Sequence, residues 1–202
     1  MTSLARDNST LSLKTSLRRR LLRLVDAPVV CETHGGYGVI WEQVYRAVPQ
    51  GVVFEKDERK AEFLAEQRPT RAVYEADCEA AIRAGAGAHL PVNFLDCDPY
   101  GEPWPVLDAY FASERPWPET LAVAVQDGLR MNVRFGAAWR GGSMTEAVAR
   151  YGNSGVFDNY LAICQEKLTQ IAGQRGYKLT RWAGYYCGNL NQMTHYGALL
   201  TR

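Results

Sequence analysis

The chain has 202 residues, enough for one domain with a sizeable core and too few for a second of ordinary size. Its 23 basic and 22 acidic side chains leave a formal charge of +1, which excludes a global attraction to polyanions and leaves any such contact to a local patch. The five cysteines, Cys31, Cys78, Cys97, Cys164 and Cys187, make no Cys-x-x-Cys pair and no Cys/His cluster, so the sequence predicts a reduced, cytoplasmic chain with no metal.

Residues 1–27 read as a basic amphipathic helix. Leu13, Leu17, Leu21 and Leu24 share one face, and Arg18, Arg19, Arg20 and Arg23 fill the rest. Two readings stand: a helix packed on the domain with a solvated arginine face, or a patch that contacts phosphate. The charges sit in the middle of this segment rather than ahead of an apolar run, and no stretch approaches the ~20 apolar residues of a membrane span. Neither secretion nor membrane insertion is expected.

Residues 28–202 read as a single domain. Four short apolar runs are each followed by a segment of helical period: "APVVCE" then "VIWEQVYRAV", "GVVFEKD" then "ERKAEFLAEQ", "RAVYEAD" then "CEAAIRAG", and "PVNFLDCD" then "VLDAYFAS". "ETLAVAVQDG" supplies a fifth strand. Residues 144–173 read as a helix interrupted between Gly152 and Gly155, and "YKLTRWAGYYC" and "THYGALLTR" flank "GNLNQM" as a hairpin. The expected fold is three-layered α/β: a mostly parallel sheet between helices, with an antiparallel hairpin at the C-terminus.

In such a sheet, ligands bind beyond the carboxyl ends of the strands. The first strand ends in "ETHGGYG", which sets Glu32 and then Gly35, Gly36 and Gly38 before a helix, in a turn where backbone can approach a ligand closely. The second ends at Glu55, near the ~20-residue offset at which an acid takes ribose hydroxyls, while Asp57 is placed to cap the next helix. The third offers Asp77 and the fourth Asp98. Trp41 stands where a dinucleotide fingerprint needs a small residue, and no Gly-x-x-x-x-Gly-Lys-Ser/Thr cradle is present. An acid in the glycine loop suits a ligand with a cationic amine or sulfonium, and S-adenosylmethionine carries both.

"ETHGGYG", "VVFEKD", "EAD" and "NFLDCDPYG", in that order and spacing, resemble the successive motifs of the class I S-adenosylmethionine-dependent methyltransferases, a Rossmann-like family. The resemblance implies that Glu32, Gly36 and Gly38 hold the amino-acid part of the cofactor, with His34 standing where the family often has its first loop glycine. It implies Glu55 at the ribose and Asp77 with Cys78 at the adenine. "DPYG" is similar to the signature of enzymes that methylate amines, and locally to that of tRNA guanine-N2 dimethyltransferases. By that likeness Asp98, Pro99 and Tyr100 form the catalytic turn, with RNA or DNA as substrate.

The turn also has a physical rationale. An aryl amine is a poor nucleophile because its lone pair is delocalised; a carboxylate and a main-chain carbonyl that accept its hydrogens favour a pyramidal nitrogen, and Tyr100 can stack on the base. Asp127, at the end of the fifth strand, is expected to line the same cleft; Trp104 reads as packing, close enough to the turn to border the pocket. Trp117, Trp139 and Trp182 read as packing, and Cys97 as a core thiol raised by its acidic neighbours. His34, His89 and His195 are too scattered for a triad or a metal site. Two alternatives remain: a methyltransferase-like partner or scaffold without catalysis, and an enzyme acting on a protein or small-molecule amine. A homodimer or a partner protein fits the small size.

Overall fold

Apolar residues alternate with a period of two along the central strands, and each set meets its own layer of helices. A computed structural model describes residues 10–68, 71–135 and 142–202. Seven strands form one sheet: β1 (Val29–Glu32), β2 (Gln50–Glu55), β3 (Ala72–Glu75), β4 (Phe94–Cys97), β5 (Thr120–Asp127), β6 (Lys178–Cys187) and β7 (Met193–Thr201). Their order is β3-β2-β1-β4-β5-β7-β6, parallel except for β7, which runs antiparallel between β5 and β6. The order reverses direction between β1 and β4, the switch point at which strand ends splay to admit a ligand.

Helices α1 (Leu11–Leu22), α2 (Glu58–Gln67), α3 (Cys78–Arg83), α4 (Trp104–Ala112), α5 (Leu129–Arg134), α6 (Thr145–Asp158) and α7 (Tyr160–Gly173) complete the layers, with a short π-type helix at Trp41–Tyr45. On one face Val30, Phe94, Ala122, Ala124 and Leu199 pack with Leu17, Leu21 and Tyr45. On the other, Cys31, Leu95, Cys97, Val123 and Val125 pack with Leu107, Tyr110, Ile163 and Leu168. Burial on both faces explains why these strands are mostly apolar, with their polar residues gathered toward one edge of the sheet. Among the described residues no helix is long and apolar enough to cross a membrane.

Most expected elements are present within a residue or two. Asp57 caps α2 as predicted, its Oδ1 accepting from the Lys60 amide at 3.1 Å. The segment after β1 is shorter than expected and widens into the π-type turn. The short helix α5 was not anticipated. Gly152 breaks the helical path at φ +67°, as its position suggested, and a second break at Asn159 separates α6 from α7. Trp139 lies outside the described residues, as does the start of the N-terminal segment.

The N-terminal helix corrects the expectation of a fully solvated arginine face. Arg19, Arg20 and Arg23 are exposed, but Arg18 is completely buried. Its Nε and Nη2 donate to Asp96 Oδ2 and Oδ1 at 2.8 and 2.6 Å, and Tyr45 OH donates to the same carboxylate at 2.8 Å. The sheet makes room for this helix. A Cβ on Gly197 would lie 2.5 Å from Leu21 Cδ1, and Ala122 and Ala124 are the small residues beneath it.

Removing one partner of a buried pair leaves an uncompensated charge in low dielectric. Arg18→Met is expected to lower unfolding free energy in urea by about 3–5 kcal/mol, and Arg18→Met with Asp96→Leu to recover much of that loss. An Arg18→Met variant as stable as the wild type would contradict this.

Candidate active site

The carboxyl ends of β1, β4 and β5 and the start of β7 bring a row of polar groups to one edge of the sheet. Register pairs Glu32 with Asp96, Cys97 with Val125, and Gln126 with His195. Continuing the last two pairs places Asp98, Gln126 and His195 side by side on the face that α1 covers, while His34, beyond the end of β1, turns toward Cys78. Asp98 reaches the row because β4 ends at Cys97 and Pro99 fixes the turn that follows. Tyr100 beyond it is fully exposed.

The Asp98 carboxylate is not free. Lys14 Nζ lies 3.2 and 3.3 Å from its two oxygens, and Arg18 Nη2 lies 3.5 Å away. The carbonyl of Pro99 accepts from Gln126 Nε2 at 3.4 Å, while Gln126 Oε1 is buried with no partner among the described residues. His195 is buried beside Tyr185 OH and Cys187 Sγ. Burial, with Arg18 and Lys14 nearby, pushes its imidazole down to about 3, so it is neutral at physiological pH.

The glycine loop is braced from within. Gly36 N donates to Glu55 Oε2 at 2.7 Å, and the other Glu55 oxygen accepts from Asp57 N at 3.0 Å. A Cβ on Gly35 would strike Val53 and Leu64 at 2.5 and 2.6 Å, so only glycine lets this loop sit on β2 and α2. Gly36, at φ +54°, faces open space, and Gly38 takes φ +71°. His34 bridges toward the third strand end. Thr33 Oγ1 donates to the Asp96 carbonyl and so accepts from His34 Nδ1 at 2.8 Å, which leaves Nε2 facing Cys78 Sγ at 3.5 Å. Burial lowers the His34 pKa against the pull of Asp98 and Glu55, which keeps the ring neutral.

Several expected roles are altered by what surrounds the residues. Glu32 does not face the cleft as a free acid: Arg68 Nη1 donates to its Oε2 at 2.6 Å and Arg71 Nη1 at 3.1 Å, all three side chains being buried. Asp77 is exposed at the start of α3, and its Oδ1 already caps that helix through the Ala80 amide. Trp104 is fully buried, stacked on Tyr196, and so does not border the cleft. Cys97 is core as expected, but burial, ahead of its acidic neighbours, pushes its thiol up. Lys14, Arg68 and Arg71 were not anticipated at the site; the signal available was the unpaired acid inside each apolar strand, Glu32 and Asp96, since a buried carboxylate demands a cation.

Asp127 also departs from expectation. It lies on the opposite face from Asp98, completely buried, with Tyr160 OH at 2.9 Å, Tyr196 OH at 3.4 Å and the Leu129 amide at 2.8 Å. Burial pushes its carboxyl up to about 7 against those hydrogen bonds.

No family model matches this chain, and no curated protein matches it. Solved structures do. TYW2 of M. jannaschii in complex with AdoMet superposes with a TM-score of 0.62 at 12% identity, over 100% of this chain and 79% of that one. Trm1 of Pyrococcus horikoshii with S-adenosyl-L-methionine gives 0.68 at 12%, over 98% of this chain, which spans 56% of that protein. The N-methyltransferase NodS of Bradyrhizobium japonicum WM9 gives 0.57 at 12%, over 97% and 98%. At these identities the likeness is one of fold, and the fold is that of the S-adenosylmethionine-dependent methyltransferases.

The raised Asp127 pKa carries a pH signature. Between the unfolded value of about 3.9 and the folded value of about 7 the native state holds the extra proton, so stability falls as pH rises through this window. Asp127→Asn removes that slope. The stability difference between wild type and variant, from urea unfolding at pH 4 to 8, is expected to shift against the wild type by a few kcal/mol as pH rises; a difference independent of pH would contradict it.

Proposed function

We propose that this protein transfers a methyl group from S-adenosylmethionine to an amine nitrogen, and that the acceptor is an exocyclic amine of a nucleic-acid base. The observation that carries this reading is the Asp98-Pro99-Tyr100 turn, which delivers a carboxylate, a main-chain carbonyl and an exposed ring together at the end of β4, beside His34 of the glycine loop. The neighbours of like fold solved with S-adenosylmethionine support the cofactor, and a further structure of like fold, described as a putative RNA methyltransferase of Pyrococcus horikoshii (TM-score 0.53 at 10% identity), supports a base as acceptor.

The residues present fit the cofactor. The outer side of Gly36 is open, Glu55 is half-exposed at the end of β2, and Asp77 is exposed where α3 begins. The backbone of residues 34–38 would take the amino-acid part, Glu55 the ribose, and Asp77 with Cys78 the adenine. Glu32 serves that site at one remove, since it is held by Arg68 and Arg71 beneath the loop. Bound there, S-adenosylmethionine supplies an electrophilic methyl group.

Asp98 accepts a hydrogen bond from the acceptor amine, turns its lone pair toward the methyl group and stabilises the positive charge that grows on nitrogen. Pro99 O has a second lone pair beside its long bond to Gln126 and can take the other amine hydrogen. Tyr100 stacks on the base. Water at the cleft takes the proton that the methylated nitrogen loses. The engagement of Glu32 and the histidine in the glycine loop favour a second reading, a scaffold of the same fold without catalysis.

Methyl transfer from labelled cofactor to separated RNA, DNA and protein fractions decides between them. Label is expected in a nucleic-acid fraction and is expected to fall by about 10²-fold or more with Asp98→Asn. Label confined to the added protein would redirect the substrate assignment, and no label in any fraction would favour the scaffold.

A further inference from the structure

The amine that Asp98 holds in this structure belongs to the protein itself. Lys14 Nζ contacts both Asp98 oxygens, at 3.2 and 3.3 Å, which is the contact that the proposed function assigns to the acceptor nitrogen. It is placed there by the fold rather than by chance. Lys14 stands one helical turn before Arg18 on the same face of α1, and Arg18 is locked to Asp96. Leu17 and Leu21 are buried against Gly197, and Arg19 Nη2 bonds the Gln43 carbonyl at 2.8 Å. The lysine side chain remains 19% exposed, so it borders solvent at the mouth of the cleft. The neighbouring His195 is neutral and buried, and adds no charge that would expel an ammonium.

We propose that Lys14 is a site of self-methylation, with its Nζ acting as an acceptor held in cis by Asp98; this rests on the reading of the site as one for S-adenosylmethionine-dependent N-methylation. The ammonium first gives a proton to water. The freed lone pair then forms the nitrogen–carbon bond as the sulfur–carbon bond of the sulfonium breaks, its electron pair staying on sulfur as a neutral thioether. Nitrogen keeps a charge of +1 as methylammonium, so the ion pair with Asp98 re-forms and the fold is not disturbed. One proton is released per methyl transferred. An external amine reaches Asp98 only by displacing this side chain, so Lys14 also competes with the acceptor for the same carboxylate.

The test needs no knowledge of the external substrate. The full-length protein is incubated with methyl-labelled S-adenosylmethionine, digested, and mapped by mass spectrometry, with cofactor binding measured in parallel by equilibrium dialysis. Label on the Lys14 peptide is expected, at a fractional rate independent of protein concentration. It should vanish with Lys14→Arg, which keeps the positive charge, and fall by about 10²-fold with Asp98→Asn. Bound cofactor with no methyl on Lys14 overturns the proposal and leaves the functional reading standing. Label that persists at Lys14 in a folded Asp98→Asn variant overturns the role of Asp98 in it. Absence of cofactor binding overturns both.

Discussion

The buried ion pair between Arg18 and Asp96 is the constraint on which the rest of this structure depends. Asp96 sits inside an otherwise apolar strand, where an unpaired carboxylate would carry a desolvation cost of several kcal/mol. Arg18 answers it with two charge-assisted bonds, and Tyr45 supplies a third. The burial of α1 follows from that pairing, aided by Gly197 and the alanines of β5, which let the helix come down on the sheet. Once α1 is seated, Lys14 is one turn away from Arg18 and meets Asp98. The local charge around Asp98 is therefore set by a segment some 80 residues earlier in the chain.

A second buried network does comparable work under the glycine loop. Glu32 accepts from Arg68 and Arg71, so this cluster carries one positive charge more than negative, and Arg68 also lies 4.7 Å from the ring of Trp41. The loop above is tied by its own amide to Glu55 rather than by Glu32. The two networks divide the labour at the sheet edge. Glu32 and Asp96 anchor the layer of helices that carries their cations, while Glu55 and Asp98, one position or more farther out, reach the cleft. The buried acids, Glu32 and Asp96, hold the structure together, and the partly exposed ones, Glu55 and Asp98, border the cleft.

That division marks where sequence reasoning succeeded and where it stopped. The four strand and helix alternations were legible because their apolar runs are short and each is punctuated by Gly or an acid, and Asp57 was legible as a cap from its place before "ERKAEFL". The turn at Asp98, Pro99 and Tyr100 was legible as a turn because its signal follows a buried run. Burial of individual charged groups was not legible, since a helix of leucines and arginines gives no sign of which arginine turns inward. The alternation of Ala and Val in "LAVAV" was a usable hint that one face of β5 receives something closely packed. The inward turn of Asp127 had a similar hint: its place one residue after Gln126 puts the two side chains on opposite faces. Trp104 was legible as packing, and the start of α4 carries it into the core, away from the pocket that its nearness in sequence suggested.

The proposed chemistry requires that the cleft between the glycine loop, Glu55 and Asp98 bind S-adenosylmethionine. Isothermal calorimetry with that ligand tests it most directly. Saturable binding at about one ligand per chain is expected, with an affinity weakened by roughly tenfold or more in Glu55→Ala, a loss of about 1.4 kcal/mol. No heat of binding at millimolar ligand, or binding that Glu55→Ala leaves unchanged, would contradict it.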